Sequence, residues 1–227
     1  MYTSITAVRT RDRFVVEALG SIKNQTLAAA RCIVVVNGGA LSDGNVASEV
    51  NKAFPDVEIL QIDEQGMVPA FRHALDLCET EYISFLDSDD LWMPNKAELQ
   101  IGLLEDSPET DAVFGAVQNF YDTPGFAATV VKPLASRVFS ATTFRSRAFE
   151  KNGYPDSQAT HFNWLYRWWA KAESTQVIAR PHNDLVLRRR ISASSGWVSD
   201  RETGTKALMT ELRAQFRDGR TSADQLK

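Results

Sequence analysis

Two cysteines, three histidines and no long apolar run set the first limits on this 227-residue sequence. Cys32 and Cys78 are too few for a disulfide scaffold. Both fall in apolar or helical patterns, so two reduced, buried thiols are expected. No Cys/His spacing suggests zinc. The longest stretch without Asp, Glu, Lys or Arg is Cys32–Ser42, 11 residues, and it contains Asn37, Gly38 and Gly39. A spanning helix needs roughly 20 apolar residues, so no transmembrane segment is expected. Arg9, Arg11 and Arg13 arrive where a signal core would lie, which points to a cytoplasmic protein. An excess of positive charge is also missing: 25 Lys+Arg against 29 Asp+Glu leaves a net charge of −4. That excludes the global field of a dedicated nucleic-acid binder, though not a local basic patch. No repeat, low-complexity stretch or linker interrupts the chain, and its length suits one domain over 1–227.

Short apolar runs alternate with helical periodicity through the first half. Strands are predicted at Ser4–Val8, Cys32–Val36, Val57–Ile62 and Tyr82–Leu86. Helices are predicted through Phe14–Ile22, Val46–Phe54, the segment opened by Gly66 and Pro69, and Pro94–Glu105, the last with Leu99, Leu103 and Leu104 facing inward. This alternation implies an α/β fold, a mostly parallel sheet flanked by helices, with ligands beyond the carboxyl ends of the strands. The second half is less regular. Strands are expected at Ala112–Val117, Thr142–Arg145, Val177–Ala179 and Leu185–Leu187, and a turn at Asp122–Gly125. Helices are expected at Ala148–Asn152, at Trp164–Glu173 and around Leu208–Phe216.

The chemistry concentrates in Tyr82–Lys96. A buried strand runs into Asp87, Ser88, Asp89 and Asp90, three carboxylates within four residues. Asp87 and Asp89 are two apart and face the same way in an extended backbone. That suits a hard divalent cation, which takes a few carboxylate oxygens and keeps its other positions for water and phosphate. A plain acidic turn, with Asp90 capping the next helix, accounts for the same residues.

The segment Phe85-Leu-Asp-Ser-Asp-Asp-Leu-Trp92, followed by Pro94 and Lys96, resembles the metal-binding DxD segment of glycosyltransferase family 2, the inverting enzymes of the GT-A (Rossmann-like) fold. The resemblance runs in order over roughly residues 3 to 195. It takes in Ser4–Phe14 with Glu17–Thr26, Val34–Gly39, Gln65-Gly66 with Ala70–His73, Phe144–Tyr154 and Leu187–Ser192. It implies a nucleoside diphosphate sugar donor, expected to be UDP-linked, and an acceptor hydroxyl on a glycan, lipid carrier, protein or modified nucleic-acid base. Asp89 with Asp87 would hold Mn2+ or Mg2+ against the diphosphate, and Ala7, Arg9, Asn37, Gly66, Arg72, Asp87, Arg188 and Arg190 would surround the nucleotide. Residues 1–110 would form the nucleotide-sugar half and 111–200 a small acceptor-side module. Residues 201–227 would form a C-terminal helix and tail, packed on their own domain or on a second subunit.

The departures from the family pattern are as informative. Asn37 stands where a carboxylate usually accepts a base N–H. The usual Glu-Asp pair before the Trp-Leu-Tyr-Arg helix is Thr160-His161. The resemblance thus implies that His161 takes the acceptor proton, its neutral imidazole being a competent base near pH 7. Asp156 is the spare carboxylate. A metal or acceptor contact at His161, or a descendant that binds nucleotide or sugar without transfer, fits the same departures. In a strand Arg188 and Arg190 share a face and Arg189 points away. Trp164, Trp168 and Trp169 lie at helical spacing, more typical of core than of a sugar platform. Trp92 is expected beneath the acidic loop, and His73 and His182 at the surface. Nucleotidyl transfer is disfavoured, because residues 8–14 lack a glycine-rich, lysine-containing phosphate loop.

Overall fold

Strand and helix alternate in the structure much as the periodicity requires. The computed structural model describes residues 1–9, 13–38, 45–121, 133–156 and 163–191. Within them the chain forms β1 (Tyr2–Arg9), α1 (Val15–Lys23), β2 (Arg31–Asn37), α2 (Asn45–Ala53), β3 (Glu58–Ile62), α3 (Met67–Leu75), β4 (Tyr82–Phe85) and β5 (Leu91–Trp92). It continues through α4 (Lys96–Glu105), β6 (Ala112–Tyr121), β7 (Leu134–Ala135), β8 (Thr142–Arg145), α5 (Arg147–Asn152), α6 (Asn163–Ser174) and β9 (Ala179–Ile191). Met1–Arg190 is one compact unit. The turn expected at 122–125 and the C-terminal helix lie outside the described residues.

The strands form one sheet in the order β3-β2-β1-β4-β8-β6-β9-β5, with β7 on β6. The first four are parallel. From β4 onward the pairs β4–β8, β8–β6 and β9–β5 are antiparallel, so the parallel part is confined to the half that ends at the acidic segment. β2 is buried on both faces, which is why its apolar run is unbroken.

Helices cover both faces. On one, Tyr2, Val8, Val34 and Val36 meet Val15, Leu19 and Ile22 of α1 and Ile101 and Leu104 of α4. On the other, Ile5, Ile33 and Val35 meet Val68, Phe71 and Ala74 of α3 and a cluster of aromatic rings. Phe139 anchors that cluster, edge-on to Trp164 at 5.0 Å and to Trp168 at 5.2 Å. Such geometry adds about 0.5–1.5 kcal/mol per pair beyond burial. All three tryptophans of α6 are buried there, so they serve the core.

Three elements differ from the sequence expectation. The two short strands at 177–179 and 185–187 are read from one 13-residue strand, β9; its polar stretch Arg180–Asp184 is exposed except for His182 and hides the apolar alternation while the backbone stays paired. β5 is a two-residue ladder, too short to leave a periodic signal. The face of α4 that is fully buried is Lys96, Ala97, Gln100, Ile101 and Leu104; Leu99 and Leu103 are only partly covered.

Candidate active site

The carboxyl ends of β1, β2 and β4 meet at one edge of the parallel half. There the buried side chain of Asn37 ties three segments together. Its Nδ2 donates to the Val8 carbonyl at 3.1 Å, and its Oδ1 accepts the Gly66 N–H at 3.0 Å. A carboxylate could not make the first of these bonds and would repel that carbonyl, so the amide in place of the family's acid has a local reason. One lone pair of Oδ1 remains for a further donor. Gly66 has φ +116°, a conformation that glycine adopts without cost, and it opens α3.

The acidic segment follows β4 directly. Leu86 N–H donates to Ile5 O at 2.9 Å, and Asp90 N–H to Asp87 O at 3.1 Å, closing a turn. Asp87 N–H donates to Ser140 Oγ at 3.1 Å. Trp92 lies beneath, its indole N–H on Ser140 O at 2.8 Å and its backbone N–H on Ser21 Oγ at 3.1 Å. Asp90 does not cap α4, whose N-cap is Asn95. It is 2% exposed and accepts the Arg190 backbone N–H at 2.8 Å. The Arg190 fork is spent inside the protein as well. Nε donates to Asp89 O at 2.9 Å, an outer nitrogen meets Glu17 at 2.5 Å, and the guanidinium lies 4.0 Å from the Phe14 ring centre and 4.6 Å from that of Phe120. Arg190 therefore pins the acidic loop rather than reaching outward for a diphosphate. Arg188 is exposed and stacks on Phe120 at 4.7 Å, on the face it shares with Arg190.

Charge crowding marks this loop. Burial pushes the Asp87 carboxyl up, while Arg189 and Ser140 pull it back. Asp90 is raised well above the usual range by burial, then by Asp87 and Asp89; the Arg190 N–H and Arg189 oppose that. Among the described residues no cluster of three or more His, Cys, Asp or Glu side chains could cage a metal. Asp90 is committed to β9, which leaves Asp87 and Asp89 as the pair that the family pattern would set on an ion. One or two carboxylates with substrate phosphates and water are how Mg2+ and similar ions are commonly held. The residues thus fit an ion that arrives with a diphosphate, not one caged by protein.

Under the loop lies a fully buried amine. Lys96 Nζ is 3.0 Å from Thr143 Oγ1, 3.4 Å from Ser84 Oγ and 4.3 Å from the Trp92 ring centre. The network continues through Gln100 to His182, which is mostly buried rather than at the surface, its Nε2 3.0 Å from Gln100 Nε2. Burial pushes the Lys96 pKa well below 10.5. Between that lowered value and 10.5 the unfolded chain binds a proton that the folded one does not, so stability rises with pH across the interval. Lys96→Met should remove that slope. At pH 7 its stability should equal the parent's or exceed it by ~1–4 kcal/mol, as when a buried charge gives way to an apolar group of like volume. Ser84 and Thr143 would still bond each other at 2.8 Å. Urea unfolding at pH 7 and pH 9 checks this; an unchanged slope would show that Lys96 titrates normally.

The other expected site residues scatter. Ala7 is half-buried against the α3-side core, and Arg9 closes β1 with its side chain outside the described residues. Arg72 is exposed on α3, and neighbouring His73 pairs with Glu64 at the surface. Asp156 is exposed, 3.6 Å from Arg167. His161 lies outside the described residues. Sequence reasoning passed over Ser140, Glu17 and Arg189. Ser140 and Glu17 carry no local signal, but the alternation of β9 already separated Arg189 from its neighbours.

A family model described as Glycosyl transferase family 2 matches residues 4–169. An uncharacterized glycosyltransferase of Haemophilus influenzae is 24% identical over 203 residues, 81% of this chain and 76% of its own length. S. aureus TarS 1-349, solved in complex with UDP, superposes with a TM-score of 0.64 at 14% identity, covering 84% of this chain and 60% of its own. Mannosyltransferase PcManGT from Pyrobaculum calidifontis, in complex with GDP-Man and Mn2+, gives 0.61 at 19%, covering 86% and 58%. At these identities the structural likeness establishes the fold; this chain spans less than two thirds of either solved protein.

Proposed function

The chain belongs to glycosyl transferase family 2, and from that premise we propose that it transfers a sugar, with inversion, from a UDP-linked donor to an acceptor hydroxyl with the help of Mn2+ or Mg2+. The observation that carries this reading is the acidic segment Asp87–Asp90 at the carboxyl end of the central parallel strand, pinned there by the contacts of Arg190 with Asp90, Asp89 O and Glu17. The solved relatives with UDP and with GDP-Man and Mn2+ support the donor class. In this reading Asp87 and Asp89 hold the ion, Asn37 offers its remaining lone pair to a base N–H, and Arg72 approaches the diphosphate beyond the Gly66 turn. The bound ion would act as a Lewis acid on the departing nucleoside diphosphate. His161 takes the acceptor proton as the oxygen attacks the anomeric carbon, and the electron pair of the broken bond leaves with the diphosphate. The absence, among the described residues, of any helix long and apolar enough to cross a membrane is compatible with work in the cytoplasm.

Incubation with UDP-sugars and GDP-sugars plus Mn2+ tests the proposal through slow donor hydrolysis, the leak of transfer to water. Hydrolysis of a UDP-sugar is the expected result. Its absence, with nucleotide still raising the melting temperature, would turn the reading to a protein that binds without transfer. Asp89→Asn should weaken UDP binding in Mn2+ by about tenfold or more, the worth of a charge-assisted contact. Titration calorimetry with and without the ion measures it.

A further inference from the structure

One backbone carbonyl fixes the direction of the hydrogen bonds in the buried network beside β9. Ala141 O can only accept, and Gln100 Nε2 lies 2.9 Å from it, so the amide turns its NH2 to that side. The second hydrogen of the NH2 goes to His182 Nε2, 3.0 Å away, which must therefore be an acceptor. The imidazole proton is left on Nδ1 and donates to Asp184 Oδ2 at 3.2 Å. On the other side, Gln100 Oε1 accepts from the Thr143 hydroxyl at 2.8 Å, and Thr143 Oγ1 accepts from Lys96 Nζ at 3.0 Å. The bonds thus run one way, from a buried amine to an exposed carboxylate. Gly115 makes the room for the ring: a Cβ there would lie 2.6 Å from His182 Nε2. Gln100, Ala141 and Thr143 are fully buried, so a partner lost among them is not replaced by bulk water.

We infer that His182 is an acid-sensitive lock: neutral, it completes this chain, and protonated, it sets a second N–H against the Gln100 NH2 and breaks the chain there. Turning the amide over gives no escape, because its oxygen would then face the Ala141 carbonyl. Either way Ala141 O loses its partner, one residue from Ser140, whose hydroxyl and carbonyl hold Asp87 and Trp92 at the base of the acidic loop. The lock does not depend on what that loop binds. Burial opposes the imidazolium most, Asp184 on the same strand favours it, and Lys96 from α4 opposes it, so the His182 pKa falls below its ordinary 6.5. Arg180, two residues back, is spent on Glu109, and β6 meets the ring with a glycine. Below 6.5 the unfolded chain takes up a proton that the folded one resists. The contribution of this group is therefore whole above that value and declines as pH falls toward the lower folded one.

Melting of the full chain at pH 7 and pH 5, parent against His182→Gln, tests the lock. Glutamine carries an oxygen that can still accept from Gln100, and it does not titrate. On going to pH 5 the parent should lose about 2 °C or more beyond what the variant loses, the least that a kcal/mol gives in a chain of this size. Equal losses, or a larger loss in the variant, overturn the lock. If His182→Gln melts early at both pH values, the parent's own ring carries the test in 1H–15N spectra, its signals identified by their absence from the variant. At pH 7.5 the ring should be the Nδ1–H tautomer, and its titration midpoint should lie below about 6.5. The Nε2–H tautomer, or a midpoint at or above that value, overturns the lock as well.

Discussion

His161→Ala is expected to cut sugar transfer by about 10²–10⁴-fold while leaving UDP affinity nearly unchanged. That factor is what a positioned general base supplies. The split follows from where the proton is. In the proposed inverting reaction the acceptor hydroxyl would lose it on the face of the sugar opposite the diphosphate, so the base would not touch the nucleotide, whose affinity would be set by the acidic loop and Asn37. The pH profile provides a second readout. A general base acts in its unprotonated form, so in this reading transfer should fall on the acid side of the profile. Turnover unaltered in the alanine variant would remove His161 from the mechanism. The exposed carboxylate of Asp156, paired loosely with Arg167, would be the next to replace.

Asp111→Ala is expected to be the most damaging change to the fold itself. The Asp111 side chain is fully enclosed, yet it accepts from Arg147 Nε at 2.6 Å, Lys151 Nζ at 2.7 Å and the Ile178 backbone N–H at 2.9 Å. It therefore fastens α5 and the approach to β9 onto the start of β6. Removing one partner of a buried ion pair costs about 3–5 kcal/mol. For a chain of this size each kcal/mol lowers the melting temperature by roughly 2–4 °C, so scanning calorimetry should register a fall on the order of 10 °C. Asp111→Asn keeps an acceptor for Ile178 and should lose less. Burial alone would raise the Asp111 pKa, but Lys151, the Ile178 N–H and Arg147 outweigh it and the group ends below its usual value. Its contribution is thus complete above the unfolded value of about 3.9 and is lost as pH falls through the lower folded one. An alanine variant that melts with the parent would mean that the two basic side chains hold nothing in place.

What could be read in advance was whatever repeats or resembles. The unbroken Cys32–Val36 run, the helical spacing of Val15, Leu19 and Ile22, and the motif from Phe85 to Lys96 led to the parallel half, the family and the acidic segment. Residues whose role depends on a distant partner stayed hidden. Asp90 looks like a helix cap until β9 arrives with its N–H, and Arg190 looks like a phosphate ligand until Glu17, Asp89 and the two phenylalanines enclose it. Asn37 reads as a lost charge; only the Val8 carbonyl beside it shows why an amide belongs there. The full length of β9 was masked by its polar middle, where backbone pairing goes on without an apolar stripe.

The partners of the acidic loop are far apart along the chain: Asp90 and Arg190 are 100 residues apart, and Glu17 and Arg190 are 173. Such long closures are entropically late events. During synthesis, a nascent chain that has emerged only as far as Trp92 already carries all three acids but not yet Ser140 or Arg190, which hold the loop from the far end of the sequence. In the proposed reading the acidic loop would therefore reach its binding shape only once β9 has been made and has paired.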